Sequence, residues 1–152
     1  MTDSAEKIIR HKITDLLSRR EHGKQELALK LQQKGFDHRL VASVLDRFVA
    51  QNLQSDARYA ETVVASYFHK GKGPQFIRQY LVNKGIDELT IDQALQDVSD
   101  DRELDWFQLA YEVKVKKFGA EGPSDWQAKQ KQMAFLQNRG FELSQIKAAF
   151  DA

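Results

Sequence analysis

The sequence predicts an all-α protein laid out as three tandem three-helix repeats, stacked into a curved, elongated array. Three observations carry this. Only two prolines occur in 152 residues, with few β-branched runs, which favours helix over strand. Hydrophobic residues make up 41% and charged residues 30%, the balance of a chain that folds around a core. A seven-residue phrase recurs three times: LQQKGFD (31–37), LVNKGID (81–87) and LQNRGFE (136–142). Its glycines, Gly35, Gly85 and Gly140, lie 50 and 55 residues apart, a period that signals repeated architecture.

The phrase reads as a helix-to-helix corner. The glycine sits just past a helix end, in the left-handed conformation that it adopts cheaply. Lys34, Lys84 or Arg139 before it is the C-cap, where a cation suits the helix dipole. The apolar residue after it (Phe36, Ile86, Phe141) folds back on a leucine one turn inside (Leu31, Leu81, Leu136). The next residue, Asp37, Asp87 or Glu142, caps the following helix. Glu is a poorer cap than Asp, so Ser144 is an alternative at the third corner. Beyond each corner, Val41 and Leu45, Ile91 and Leu95, and Ile146 and Phe150 fall on one helical face.

The remaining elements follow in order. SAEKIIRHKITDLLSRR sets Ile9, Ile13, Leu16 and Leu17 on one face, and Gly23 opens KQELALKLQQK. Ser55 or Asp56 caps ARYAETVVASYFHK, with Tyr59, Val63 and Tyr67 at helical spacing. Pro74 starts PQFIRQYLVNK, where its missing N–H costs little. DRELDWFQLAYEVKVKKFG buries Trp106, Leu109 or Ala110, Val113 and Phe118, and SDWQ (124–127) forms a capping box for the next helix. Joints are expected near 52–55 and 99–101, giving units 1–54, 55–99 and 100–152. Units so small bury little alone, so neighbours stack.

Much chemistry is excluded. There is no cysteine, hence no disulfide and no thiol catalysis. No stretch approaches the roughly 18 apolar residues of a membrane span, and the N-terminus lacks the apolar core of a signal peptide, so a cytoplasmic protein is expected. His11, His22, His38 and His69 offer no pair at metal-ligand spacing, so no metal or cofactor is expected. HKGKGP (69–74) has a superficial likeness to a phosphate loop but lacks its spacing and follows a helix. No nucleophile–base arrangement emerges, so no enzyme is expected.

The net charge of +1 conceals an uneven distribution. Arg58, Lys70, Lys72, Arg78 and Lys84 against Asp56 and Glu61 make residues 56–85 net +3, while residues 86–105 are net −7. At KGKGP, lysines meet a helix N-terminus, which suits a phosphate or carboxylate; alternatively the glycines serve only the turn. Lys114, Lys116 and Lys117 form a second basic cluster, read as a solvated helix face with a lesser prospect of nucleic-acid contact.

Residues 55–86 resemble the signature region of the RecX regulatory proteins of bacteria. The match runs through D-x-R-[FY]-A at Asp56–Ala60, K-G-x-G-P-x-x-I at Lys70–Ile77 and L-x-x-K-G-[IV] at Leu81–Ile86. REHGKQELALKL (20–31) is similar to the family's early segment, with Gly23 where a serine is usual. The resemblance implies a monomeric protein that binds the RecA recombinase, especially its filament on single-stranded DNA. It implies restraint of filament extension, ATP hydrolysis and strand exchange, and so of recombination, DNA repair and the SOS response. By position in the family's motifs, Arg58, Lys70, Lys72, Arg78 and Lys84 are the expected contacts to acidic RecA surface or DNA phosphate. For Arg58 the alternative is an ion pair within the bundle, with Asp56 or Glu61. Many relatives carry more arginine before KGxGP, where this chain has ASYFHK, which lowers the expectation of strong direct DNA binding. A direct DNA-binding helical module remains the alternative function; it predicts binding without RecA and a steep loss with salt.

Overall fold

The computed structural model describes residues 2–151, with side chains from residue 4 onward. Among the described residues there are nine helices and no strand. Unit 1 holds α1 (Thr2–Arg19), α2 (Lys24–Gln33) and α3 (His38–Ala50). Unit 2 holds α4 (Asp56–His69), α5 (Pro74–Asn83) and α6 (Glu88–Asp101). Unit 3 holds α7 (Trp106–Phe118), α8 (Trp126–Asn138) and α9 (Leu143–Asp151).

Each unit has its own core. Ile9, Ile13, Leu27, Leu31, Val41 and Leu45 close the first. Tyr59, Val64, Ile77, Leu81 and Ile91 close the second. Ala110, Leu136, Phe141, Ile146 and Ala149 close the third. These are the apolar positions of the corner phrase and of the helical faces around it. The accessible surface is 9454 Å², about a fifth above the roughly 7,900 Å² of a compact monomer of this mass. Three small cores in a row, and not one large one, account for the excess.

The corners are built as the sequence predicts. Gly35, Gly85 and Gly140 have φ of 92°, 80° and 97°. Their N–H groups donate to Gln32, Val82 and Gln137, and those of Phe36, Ile86 and Phe141 donate to Leu31, Leu81 and Leu136. This is the double hydrogen bond of a Schellman cap, so the orphan carbonyls of each helix end are satisfied. Asp37 and Asp87 then accept from Arg39 N–H and Thr90 N–H, both at 2.8 Å. Hydrogen bonding from Thr90 holds the exposed Asp87 carboxyl below its ordinary pKa.

At the third corner Glu142, and not the alternative Ser144, occupies the cap position of α9: its N–H donates to Gln145 Oε1 at 2.9 Å, half a capping box. Three expectations need correction. Asp125, not Ser124, caps α8, because its carboxylate reaches Ala128 N–H at 2.7 Å. The helix expected from residue 101 begins only at Trp106, with Asp105 as its cap. The second joint accordingly falls at residues 102–105, after α6 has run on through Ser99–Asp101. There Glu103 takes the left-handed conformation (φ 53°), and Leu104 N–H returns to Ser99 O, so a helix ends without glycine.

One packing rule joins the units. The corner of each unit sits on the start of the second helix of the unit before it. The corner at Gly85–Ile86 lies against Gly23 and Gln25; the corner at Gly140–Phe141 lies against Gly73 and Phe76. At the first joint side chains make the bonds. Lys24 N–H and Gln54 Nε2 both donate to Asp56 Oδ1 at 2.9 Å, and Gln54 Nε2 also reaches His22 O at 3.0 Å. At the second joint backbone meets backbone: Gly73 N–H donates to Arg139 O and Gln75 N–H to Gly140 O, both at 2.8 Å.

Candidate binding groove at the second joint

The second joint leaves a groove of about 590 Å³. The end of α4 supplies His69, Lys70 and Gly71. α7 supplies Lys116, Lys117 and Glu112 over an apolar floor of Leu109 and Val113, and Phe135 and Arg139 close it from α8 and its cap. Lys116 and Lys117 lie in the last turn of α7, where cations suit the dipole, and the helical spacing turns them toward the neighbouring unit.

Arg139 ties the groove together. Its Nη2 donates to Lys70 O at 2.9 Å, and Nε and Nη2 donate to Gly71 O at 3.3 Å. These bonds consume two carbonyls at the end of α4 and leave the positive charge unneutralised. Among the described residues, none of Lys70, Lys116, Lys117 and Arg139 has a carboxylate within salt-bridge distance. Instead Lys117 Nζ and Arg139 Cζ lie 5.5 and 5.9 Å from the Phe135 ring centre, and Lys70 Nζ lies 5.1 Å from that of Tyr67. Ring faces attract the cations and leave their charge in place. Glu112 is the single acid of the lining. The site is therefore suited to an anionic group carried on a partly apolar surface.

The expected residues separate in space. Lys70 enters the groove. Lys72 turns over Phe76, with Nζ 4.6 Å from the ring centre. Burial, with the nearby Arg139 charge, pushes its pKa down. Arg58 joins neither and does not pair with Asp56 or Glu61. Its Nε donates to Glu21 Oε2 at 2.7 Å and its Nη atoms reach Asn52 Oδ1 and O at 2.9 Å, which makes it a strut of the first joint. Arg78 pairs with Asp92 across α5 and α6, and Lys84 caps α5 with Nζ 5.5 Å from the Tyr80 ring centre.

Of the two readings of KGKGP, the structure favours the turn: the N–H groups of Gly73 and Gln75 at the start of α5 are spent on the third unit's corner and are not offered to a phosphate or carboxylate. Gly71 (φ 78°) closes a fourth Schellman cap, with Lys72 N–H bonded to Tyr67 O at 2.9 Å. Gly73 is glycine for another reason: a Cβ there would overlap the Gly140 carbonyl. Lys114 is not on a solvated face; it is buried at 5% exposure beneath Phe150 and Tyr111. Lys116 and Lys117 are exposed, as expected of a solvated face, and line the groove. Arg139 and Phe135 are site residues that the sequence does not reveal; the one available signal is arginine at a cap where the other two repeats carry lysine.

Fold and groove together define a helical-repeat protein with a cationic cleft at an inter-unit joint. Residues 10–48, 55–95 and 103–150 match, in order, the first, second and third three-helix domains of RecX. The chain is 42% identical over 134 residues to the regulatory protein RecX of Acinetobacter baylyi, covering 88% of this chain and 80% of that one. It is 38% identical over 146 residues to that of Halorhodospira halophila, covering 96% and 88%. A crystal structure of regulatory protein RecX superposes with a TM-score of 0.83 at 25% identity, covering 99% of this chain and 74% of the other. The Lactobacillus salivarius RecX structure shares the fold at a TM-score of 0.80 and 19% identity, covering 98% and 96%. The chain belongs to the RecX family of regulatory proteins.

Proposed function

We propose that this protein binds RecA and its filament on single-stranded DNA. There it inhibits filament extension, ATP hydrolysis and strand exchange, and so modulates recombination, DNA repair and the SOS response. It acts in the cytoplasm as a monomer and without catalysis of its own. Kinship with RecX along nearly the whole chain supports the reading. The observation that carries it to particular residues is the groove at the second joint, where exposed Lys70, Lys116 and Lys117 and half-buried Arg139 have no acidic partner among the described residues. An elongated array has the reach to lodge along a helical filament and touch more than one protomer. In this reading Lys70 and Lys72 keep the role expected of them, and Arg58, Arg78 and Lys84 serve the framework.

The test is RecA ATP hydrolysis on single-stranded DNA, with and without this protein. Inhibition at stoichiometric amounts is expected; an unchanged rate would sink the reading. Lys70→Glu combined with Lys72→Glu should weaken inhibition with helical content intact.

A further inference from the structure

The far end of the array carries an indole that the fold does not use. Trp126 opens α8 and is 72% exposed. The other tryptophan, Trp106, is half-buried against Phe68, and its Nε1 donates to Ser99 Oγ at 3.1 Å. In units 1 and 2 the start of the second helix is covered by the corner of the following unit. At α8 no such corner covers Trp126 among the described residues, and its indole stands exposed.

Its surroundings are cationic. Trp126 walls a cavity of about 370 Å³ with Lys129, Met133, Lys147 and Phe150. Lys129 is three residues along α8 and thus on the same helical face. Lys129 Nζ lies 5.7 Å from the Phe150 ring centre, and Lys114 Nζ approaches the same ring at 4.5 Å. Two acids are near. Asp151 borders the cavity, and the Asp125 carboxylate is engaged by Ala128 N–H. A free aromatic face set among lysines is the chemistry of single-strand recognition. A base stacks on the ring, and lysines follow the phosphates. Base faces are available only where the strand is unpaired, which selects single strand over duplex.

We propose that Trp126, with Lys129 and Lys147, forms a base-stacking contact for single-stranded nucleic acid at the exposed start of α8. The contact is separate from the groove at the second joint and needs no RecA, so its test stands apart from the filament assay. The experiment follows tryptophan emission of the full chain as oligothymidylate of about a dozen nucleotides is added at low salt. Saturable quenching that weakens as salt rises is expected. Trp126→Phe should abolish most of the quenching. Trp126→Ala, read by anisotropy of a labelled oligomer, should lower affinity roughly 5- to 150-fold, the worth of one stacked base. Lys129→Ala with Lys147→Ala should flatten the salt dependence. Absence of saturable quenching, or quenching retained in Trp126→Phe, would overturn the proposal. So would equal or stronger quenching by the matching duplex or by polyglutamate, the latter marking a protein-docking surface instead.

Discussion

The two inter-unit joints obey one packing rule and use different chemistry. At the first, side chains reach across: Arg58 to Glu21 and Asn52, Gln54 to His22, and Asp56 to Lys24 N–H. At the second, two backbone hydrogen bonds run from Gly73 and Gln75 to Arg139 and Gly140, and the chains approach too closely for a Cβ. The side-chain joint consumes its charges internally. The backbone joint leaves lysines and an arginine beside it without carboxylate partners among the described residues. The cationic groove therefore forms at the second joint and not at the first.

Glycine substitutions test this contrast with the largest effects. Gly140→Ala combines a φ of 97° with overlap on Phe76, and should cost more than about 3 kcal/mol in urea unfolding. Gly73→Ala has an ordinary φ of −83° but overlaps the Gly140 carbonyl, and should cost about 1–3 kcal/mol. Gly35→Ala, with φ of 92° and open space around it, should cost only the backbone term of about 1–2 kcal/mol. Gly23→Ser at the first joint should stay within about 0.5 kcal/mol, since its φ is −70° and a Cβ would meet Tyr59 at an ordinary 3.4 Å. Equal costs for Gly73→Ala and Gly23→Ser would erase the distinction between the joints.

Removing the strut comes next. Arg58→Ala should cost about 1 kcal/mol, kept small because the guanidinium is 38% exposed and screened by solvent. Native-state hydrogen exchange should show the loss at Lys24 N–H and leave Gly73 and Gln75 N–H protected.

Acid gives the smallest effect, confined to the first joint. His22 is 3% exposed; its Nδ1 lies 3.0 Å from Arg20 O and its Nε2 lies 3.3 Å from Lys30 Nζ. Burial above all, with the charges of Arg20 and Lys30, pushes its pKa down, so the folded state holds it neutral. That contribution to stability is fully present above about pH 6.5 and is lost as pH falls through the lower folded value. Glu26 follows at more acid pH. Burial pushes its carboxyl up, but the Arg20 hydrogen bond and charge and the Gly23 N–H outweigh it and hold it low. Exchange at Lys24 N–H should accelerate on acidification once intrinsic rates are corrected. Gly73 N–H should not follow, because the second joint has no buried histidine.

The corners were legible because their signals are local: a glycine, an apolar residue that folds back, and a carboxylate at fixed spacing. Where a helix ends without glycine, the signal fails. Glu103 adopts positive φ and does not mark a helix end as glycine does, so the boundary expected at 99–101 falls before the observed one. Ser124 and Asp125 are adjacent and both good caps, and only the position at which the helix begins selects the aspartate. The groove was illegible for a different reason. Lys70 and Arg139 are 69 residues apart, and their meeting depends on how two units dock. Arg58 does form an ion pair within the bundle, but sequence order offers Asp56 and Glu61 as its partners, whereas docking supplies Glu21 from 37 residues away.

The central claim is that the free cations of the second joint carry the regulatory activity. Its most direct test compares two charge reversals of equal size in RecA ATP hydrolysis on single-stranded DNA. One is Lys116→Glu with Lys117→Glu in the groove. The other is Lys7→Glu with Arg10→Glu on the exposed face of α1. The groove variant should need at least about tenfold more protein for half-inhibition, a loss of about 1.4 kcal/mol, while the α1 variant inhibits like the parent. Equal loss in both, or none in the groove variant, would contradict the account.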